Sequence, residues 1–202
     1  MHHPTHYTGS RTRHSPSAQD LLQIANGLLA QRRPEAKEVY DRVIELDPTC
    51  AEAYCNRGLV LGRLGQPERA LTDFNRAIEL DPGQATAYYG RGCAYGNLGR
   101  TGEEIEDYTR AIALCPELTD AYLNRGCVFV RLHLLDRALQ DFQKAIQLDP
   151  FDADGHASLG SLYGRLKQHD KALWHLQLAA QLGHRDVEEW FAAQGITCAA
   201  GS

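Results

Sequence analysis

Pro48, Pro82, Pro116 and Pro150 stand 34 residues apart, and no other feature of the chain restricts its fold as tightly. A period of this length means that one supersecondary unit is copied and stacked, because a single copy buries too little apolar surface to persist alone. Other positions keep the same interval. Glycine recurs at Gly58, Gly92, Gly126 and Gly160, and tyrosine at Tyr54, Tyr88 and Tyr122. A large residue returns at Tyr40, Phe74, Tyr108, Phe142 and Leu176, and alanine at Ala77, Ala111, Ala145 and Ala179.

With Ala51 as slot 1 of the unit, slots 4, 8 and 11 (Tyr54, Gly58, Leu61) have the three-to-four spacing of one helix face. Slots 20, 24 and 27 (Ala70, Phe74, Ala77) mark a second. Each unit is therefore expected to be two amphipathic helices. Gly65 and Gly99 suit a positive φ in the tight turn between them, Pro67 can open the second helix, and the proline at slot 32 ends it. Small residues at slots 8, 20 and 27 let the two backbones approach, and the aromatic at slot 24 fills the space left. Units 51–84, 85–118 and 119–152 fit well, except that Glu104 replaces alanine at slot 20. Unit 153–186 departs at His156, Leu176 and His184, and a first unit over about 18–50 is one residue short at its turn. Residues 186–195 read as a capping helix, with Asp186 as N-cap, Val187, Trp190 and Phe191 as its apolar face and Gly195 as its stop. Residues 1–17 and 196–202 read as tails, and His2, His3, His6 and His14 as adventitious metal binders.

This pattern resembles the tetratricopeptide repeat over about 18 to 186. The resemblance implies an all-α solenoid of five tetratricopeptide-like helix–turn–helix repeats with a C-terminal capping helix, and a concave groove lined by the first helix of each repeat.

The repeats can be compared with one another. Slot 7 holds Arg57, Arg91 and Arg125 in the middle units but Ile24 and Leu159 at the ends; slot 23 holds Asp73, Asp107 and Asp141 but Val39 and His175. Arginine and aspartate come and go together, so an ion pair inside each unit, clamping first helix to second, leaves neither charge orphaned. Pairing each arginine with the preceding unit's slot 23 would set Arg57 against Val39.

A net charge of -5 gives no electrostatic reason to bind nucleic acid or anionic lipid. No window reaches the 18 or so apolar residues that span a bilayer. Six cysteines without a CxxC pair suit free thiols, and a cytoplasmic protein is the expectation. The chain carries no Walker loop, dinucleotide fingerprint, GxSxG or HExxH. His133, His156, His169, His175 and His184 fall at unrelated slots, with no metal-ligand spacing. No enzymatic activity, cofactor or metal is expected.

Binding remains, and the resemblance places it in the groove. Across units the groove-facing slots carry Asn56 and Asn124 at slot 6, Tyr89 at slot 5, and Cys93 and Cys127 at slot 9. Arg63, Asn97, Arg131 and Arg165 form a largely basic margin at slot 13, opposed by Glu52, Asp120 and Asp154 at slot 2. Gly62, Gly96 and Gly164 at slot 12 are expected to keep the floor open. Isolated asparagines are all that matches the carboxylate clamp of chaperone adaptors. The expected function is a non-enzymatic module that binds a peptide or a segment of a partner protein. The alternative is a scaffold that self-assembles weakly through its repeat ends or its capping helix.

Overall fold

The computed structural model describes residues 15–194. The expectations for His2, His3, His6, His14, Gly195 and Cys198 lie outside them. The first repeat pairs α1 (Ala18–Ala30) with α2 (Ala36–Leu46). The second pairs α3 (Ala51–Arg63) with α4 (Pro67–Leu80), and the third α5 (Ala85–Asn97) with α6 (Thr101–Leu114). The fourth pairs α7 (Thr119–Arg131) with α8 (Leu135–Leu148), the fifth α9 (Ala153–Arg165) with α10 (His169–Gln181), and α11 (Arg185–Ala193) follows. No strand occurs among the described residues.

Local chemistry sets the helix ends. Ser17 opens α1 with a capping box: its Oγ accepts from the Asp20 amide at 3.2 Å, and the Asp20 carboxylate accepts from the Ser17 amide at 2.9 Å. The turns inside repeats two and three place Gly65 and Gly99 at φ 71°, as expected. Arg32, His133 and Lys167 take the same left-handed conformation at φ 56°, 60° and 59° without being glycine. The neighbouring helices hold that strain in place.

The slot 8 glycines are needed for packing. A Cβ on Gly58 would lie 2.8 Å from the Phe74 ring, one on Gly92 2.8 Å from the Tyr108 ring, and one on Gly126 2.6 Å from the Phe142 ring. The aromatic of each second helix thus fills the notch in the first. Tyr40, Phe74, Tyr108 and Phe142 are buried, as are the slot 27 alanines. Buried apolar residues consequently recur along the array and gather in four clusters.

Successive first helices touch, α1 with α3, α3 with α5 and α7 with α9, whereas successive second helices make no comparable contact among the described residues. First helices therefore line the inner face, and second helices the outer.

The end of the array differs from expectation. α11 starts at Arg185, and its N-cap is His184, not Asp186; His184 Nδ1 accepts from the Val187 amide at 3.4 Å. Gly183, at φ 89°, turns the chain so that His184 reaches the cap. Val187 and Phe191 are buried beside Ala179 and Ala180, while Trp190 remains 48% exposed.

Candidate functional site

The middle repeats are held by bidentate ion pairs. Arg57 Nε and Nη2 donate to Asp73 at 2.7 and 2.6 Å, Arg91 to Asp107 at 2.7 and 2.8 Å, and Arg125 to Asp141 at 2.8 and 2.8 Å. Each guanidinium also lies near the slot 4 tyrosine of its repeat, Tyr54, Tyr88 or Tyr122. The third donor leaves the repeat. Nη1 of Arg57, Arg91 and Arg125 donates to Asp41, Asn75 and Thr109, at 2.7, 2.8 and 3.0 Å, always at slot 25 of the preceding unit. Sequence comparison missed this bond, although three short polar acceptors at one slot were the signal for it.

The inner face carries two polar knots. Asn56 Nδ2 donates to Asn26 Oδ1 at 2.9 Å, and the Tyr40 hydroxyl donates to the same oxygen at 2.7 Å. Asn26 in turn donates to Glu52 at 2.7 Å. Two repeats along, Asn124 Nδ2 donates to the Tyr89 hydroxyl at 3.1 Å, with Cys93 Sγ at 3.7 Å, and the Tyr108 hydroxyl donates to Cys93 at 3.4 Å. Burial raises the phenol pKa of Tyr40 and Tyr108, which keeps both as donors.

A rule connects the slot 24 ring of one repeat with slot 6 of the next. Tyrosine at 40 and 108 is followed by Asn56 and Asn124; phenylalanine at 74 and 142 is followed by Gly90 and Ser158. The hydroxyl and the amide share an acceptor where there is a hydroxyl. Where there is none, the shared acceptor is lost; at position 90 a Cβ would also stand 2.4 Å from the Phe74 ring, which favours glycine there, while Ser158 follows Phe142. The interrupted asparagine row follows from that exchange.

The margin residues are also placed. Arg131 Nη2 donates to Glu104 Oε2 at 2.5 Å, which explains how a carboxylate survives at a slot that is otherwise alanine. Burial still raises the Glu104 pKa, with Arg131 opposing. Gly96 accommodates that side chain: a Cβ there would sit 2.6 Å from Glu104 Oε1, whereas Cβ atoms at Gly62 and Gly164 would meet nothing within 4 Å. The open floor expected at slot 12 is thus occupied at Gly96. Arg63 reaches the Leu29 carbonyl at 3.3 Å; Asn97 and Arg165 are exposed and make no hydrogen bond or ion pair among the described residues.

Cys127 is exposed on the inner face. Burial raises the thiol pKa of Cys55, to about 11, and of Cys93, so neither is an activated nucleophile. Among the described residues, no group of three or more His, Cys, Asp or Glu side chains could hold a metal ion. No helix among them is long and apolar enough to cross a membrane.

Two histidines expected to be unrelated form a buried pair. His156 and His175 Nδ1 atoms are 2.9 Å apart, and His156 Nε2 faces the Pro150 carbonyl at 3.1 Å. A carbonyl only accepts, so His156 is protonated on Nε2 and its Nδ1 accepts from His175. This pair occupies slots 4 and 23, where the middle repeats hold tyrosine and aspartate.

Comparison with known proteins places this architecture. The family described as "Tetratricopeptide repeat" matches residues 51–84, 85–118, 119–152 and 141–173, and the one described as "TPR repeat" matches 31–65. Among solved structures, MamA is 25% identical with a TM-score of 0.68, covering 82% of this chain and 97% of that one. YrrB, titled "a TPR protein with an unusual peptide-binding site", is 25% identical with a TM-score of 0.65, covering 88% of this chain and 92% of that one. PilF of Pseudomonas aeruginosa shares the fold at 20% identity and a TM-score of 0.74, covering 88% of this chain and 86% of that one. With its period, its helix pairs and matches running from residue 31 to 173, this chain belongs to the tetratricopeptide-repeat family.

Proposed function

We propose that this protein is a non-enzymatic interaction module whose inner face binds an extended peptide or a segment of a partner protein. One observation carries the reading: five first helices line a single face on which polar side chains, exposed arginines and small residues alternate without forming a catalytic constellation. YrrB, a peptide-binding relative of similar fold, supports it. Tyr89, Cys93, Asn124 and Cys127 form the floor, with Arg63, Asn97, Arg131 and Arg165 at one margin and Asn56 at the N-terminal end. The two knots fix the floor in advance, so little side-chain ordering remains when a peptide docks. Arg57, Arg91 and Arg125, with Asp73, Asp107 and Asp141, are structural in this account.

A second reading, self-assembly through the array's ends, draws on exposed Trp190 and on Ile24, which is 53% exposed where a preceding repeat would otherwise pack. Partner capture with Asn124→Ala/Arg131→Gln separates the two. The glutamine leaves Glu104 a hydrogen-bond donor, and a helical circular dichroism spectrum equal to the parent's is the control for folding. Loss of the partners captured by the parent protein supports the groove; capture of all of them contradicts it and favours the ends.

A further inference from the structure

Several polar side chains on the inner face already have partners. Asn56 is held by Asn26, Asn124 by Tyr89, Arg131 by Glu104, and Arg63 by the Leu29 carbonyl. Arg165, the last residue of α9, is exposed and makes no ion pair or hydrogen bond among the described residues. It stands on the rim of a cavity of about 410 Å³ between α7, α8, α9 and the N-cap of α11. Val130, Phe142, Ala157 and Leu162 give this cavity an apolar floor. On the same rim Asp154 faces His184 Nε2 at 3.5 Å, whereas Arg165 has no acid beside it among the described residues.

We propose that this cavity seats an acidic, apolar peptide segment: an aliphatic or aromatic side chain enters the floor, and a Glu or Asp side chain two residues away pairs with Arg165. The proposal rests on the groove reading and assigns it a ligand chemistry. Leu162 precedes Arg165 by three residues, which puts the two side chains about 5–6 Å apart on one helix face. In an extended peptide, residues two apart point the same way and are separated by about 7 Å. The guanidinium fork matches one carboxylate in a bidentate pair. The acid is an internal side chain and not a chain terminus, because the inner face continues past the cavity along α7 and lets the peptide run through. Asp154 repels an acid placed at the other end of α9, about 16 Å away.

Amidated eight-residue synthetic peptides, with Leu or Phe at one position and Glu, Gln or Lys two residues later, test this by fluorescence anisotropy. The Glu peptides are expected to bind the wild-type protein about tenfold or more tighter than their Gln counterparts. That preference disappears in Arg165→Gln and persists in Arg76→Gln, on the outer helix α4. A Glu preference unchanged in Arg165→Gln overturns the proposal, and so does binding only by peptides with a free C-terminal carboxylate. Peptides that bind regardless of the acid, and are lost in Asn124→Ala/Arg131→Gln, overturn it while leaving the groove reading intact. No binding to the wild-type protein by any peptide of the set overturns the proposal; indifference of captured partners to Asn124→Ala/Arg131→Gln overturns the groove reading as well.

Discussion

Arg57, Arg91 and Arg125 each present Nε and Nη2 to an aspartate of their own repeat and Nη1 to the repeat before. One side chain thus closes a helix pair and joins it to its neighbour. The aspartates are almost fully buried: the Asp107 side chain keeps 7% of its exposure and Arg91 20%. Arg91→Leu strands a buried carboxylate and is expected to cost about 3–5 kcal/mol. A double-mutant cycle of Arg91→Leu and Asp107→Ala, followed by urea unfolding, should give a coupling above about 1 kcal/mol; negligible coupling contradicts the clamp. The pair itself was legible because both residues vanish together from the end repeats. Asn26 was not: it sits at slot 9, where no other unit carries an amide, and its role depends on the Tyr40 hydroxyl reaching it from another helix.

At the scale of the element, the fifth repeat replaces the whole tyrosine, arginine and aspartate trio by His156, Leu159 and His175, and links its helices through two imidazoles. Burial, and secondarily the neighbouring His156, pushes the His175 pKa down to about 4. The unfolded chain, with a histidine pKa near 6.5, therefore takes up the proton first. Stability contributed by neutral His175 is present above about pH 6.5 and is lost as pH falls from there toward 4. Tyr163 stacks on the ring of His175, Trp174 meets it edge-on, and Lys171 lies 5.2 Å from the Tyr163 ring centroid, adding a cation to the same side. Urea midpoints measured from pH 7.5 to 4 should fall more steeply for the wild-type protein than for His175→Leu; parallel profiles would refute this role. Comparing slots 4, 7 and 23 together reveals the substituted trio in the sequence. The hydrogen bond is not visible there, because its direction depends on the Pro150 carbonyl. The cap likewise showed its apolar face but not its first residue, which the turn at Gly183 decides.

For the molecule as a whole, the 34-residue period carried most of the fold, since each repeat is placed by contacts with its neighbours and repeated slots meet repeated slots. The inner face was legible as a set of positions. Which of its groups are satisfied was not, because that depends on pairs from different repeats, such as Glu104 with Arg131. The resulting inner face has fixed knots through its middle and, toward its end, a guanidinium without a partner among the described residues. Hydrogen–deuterium exchange of the protein alone and with a captured partner tests its use most directly. The account predicts slowed exchange in α3, α5, α7 and α9, strongest toward the end of α9, with α4, α6 and α8 unchanged; protection confined to the outer helices or to α11 would contradict it.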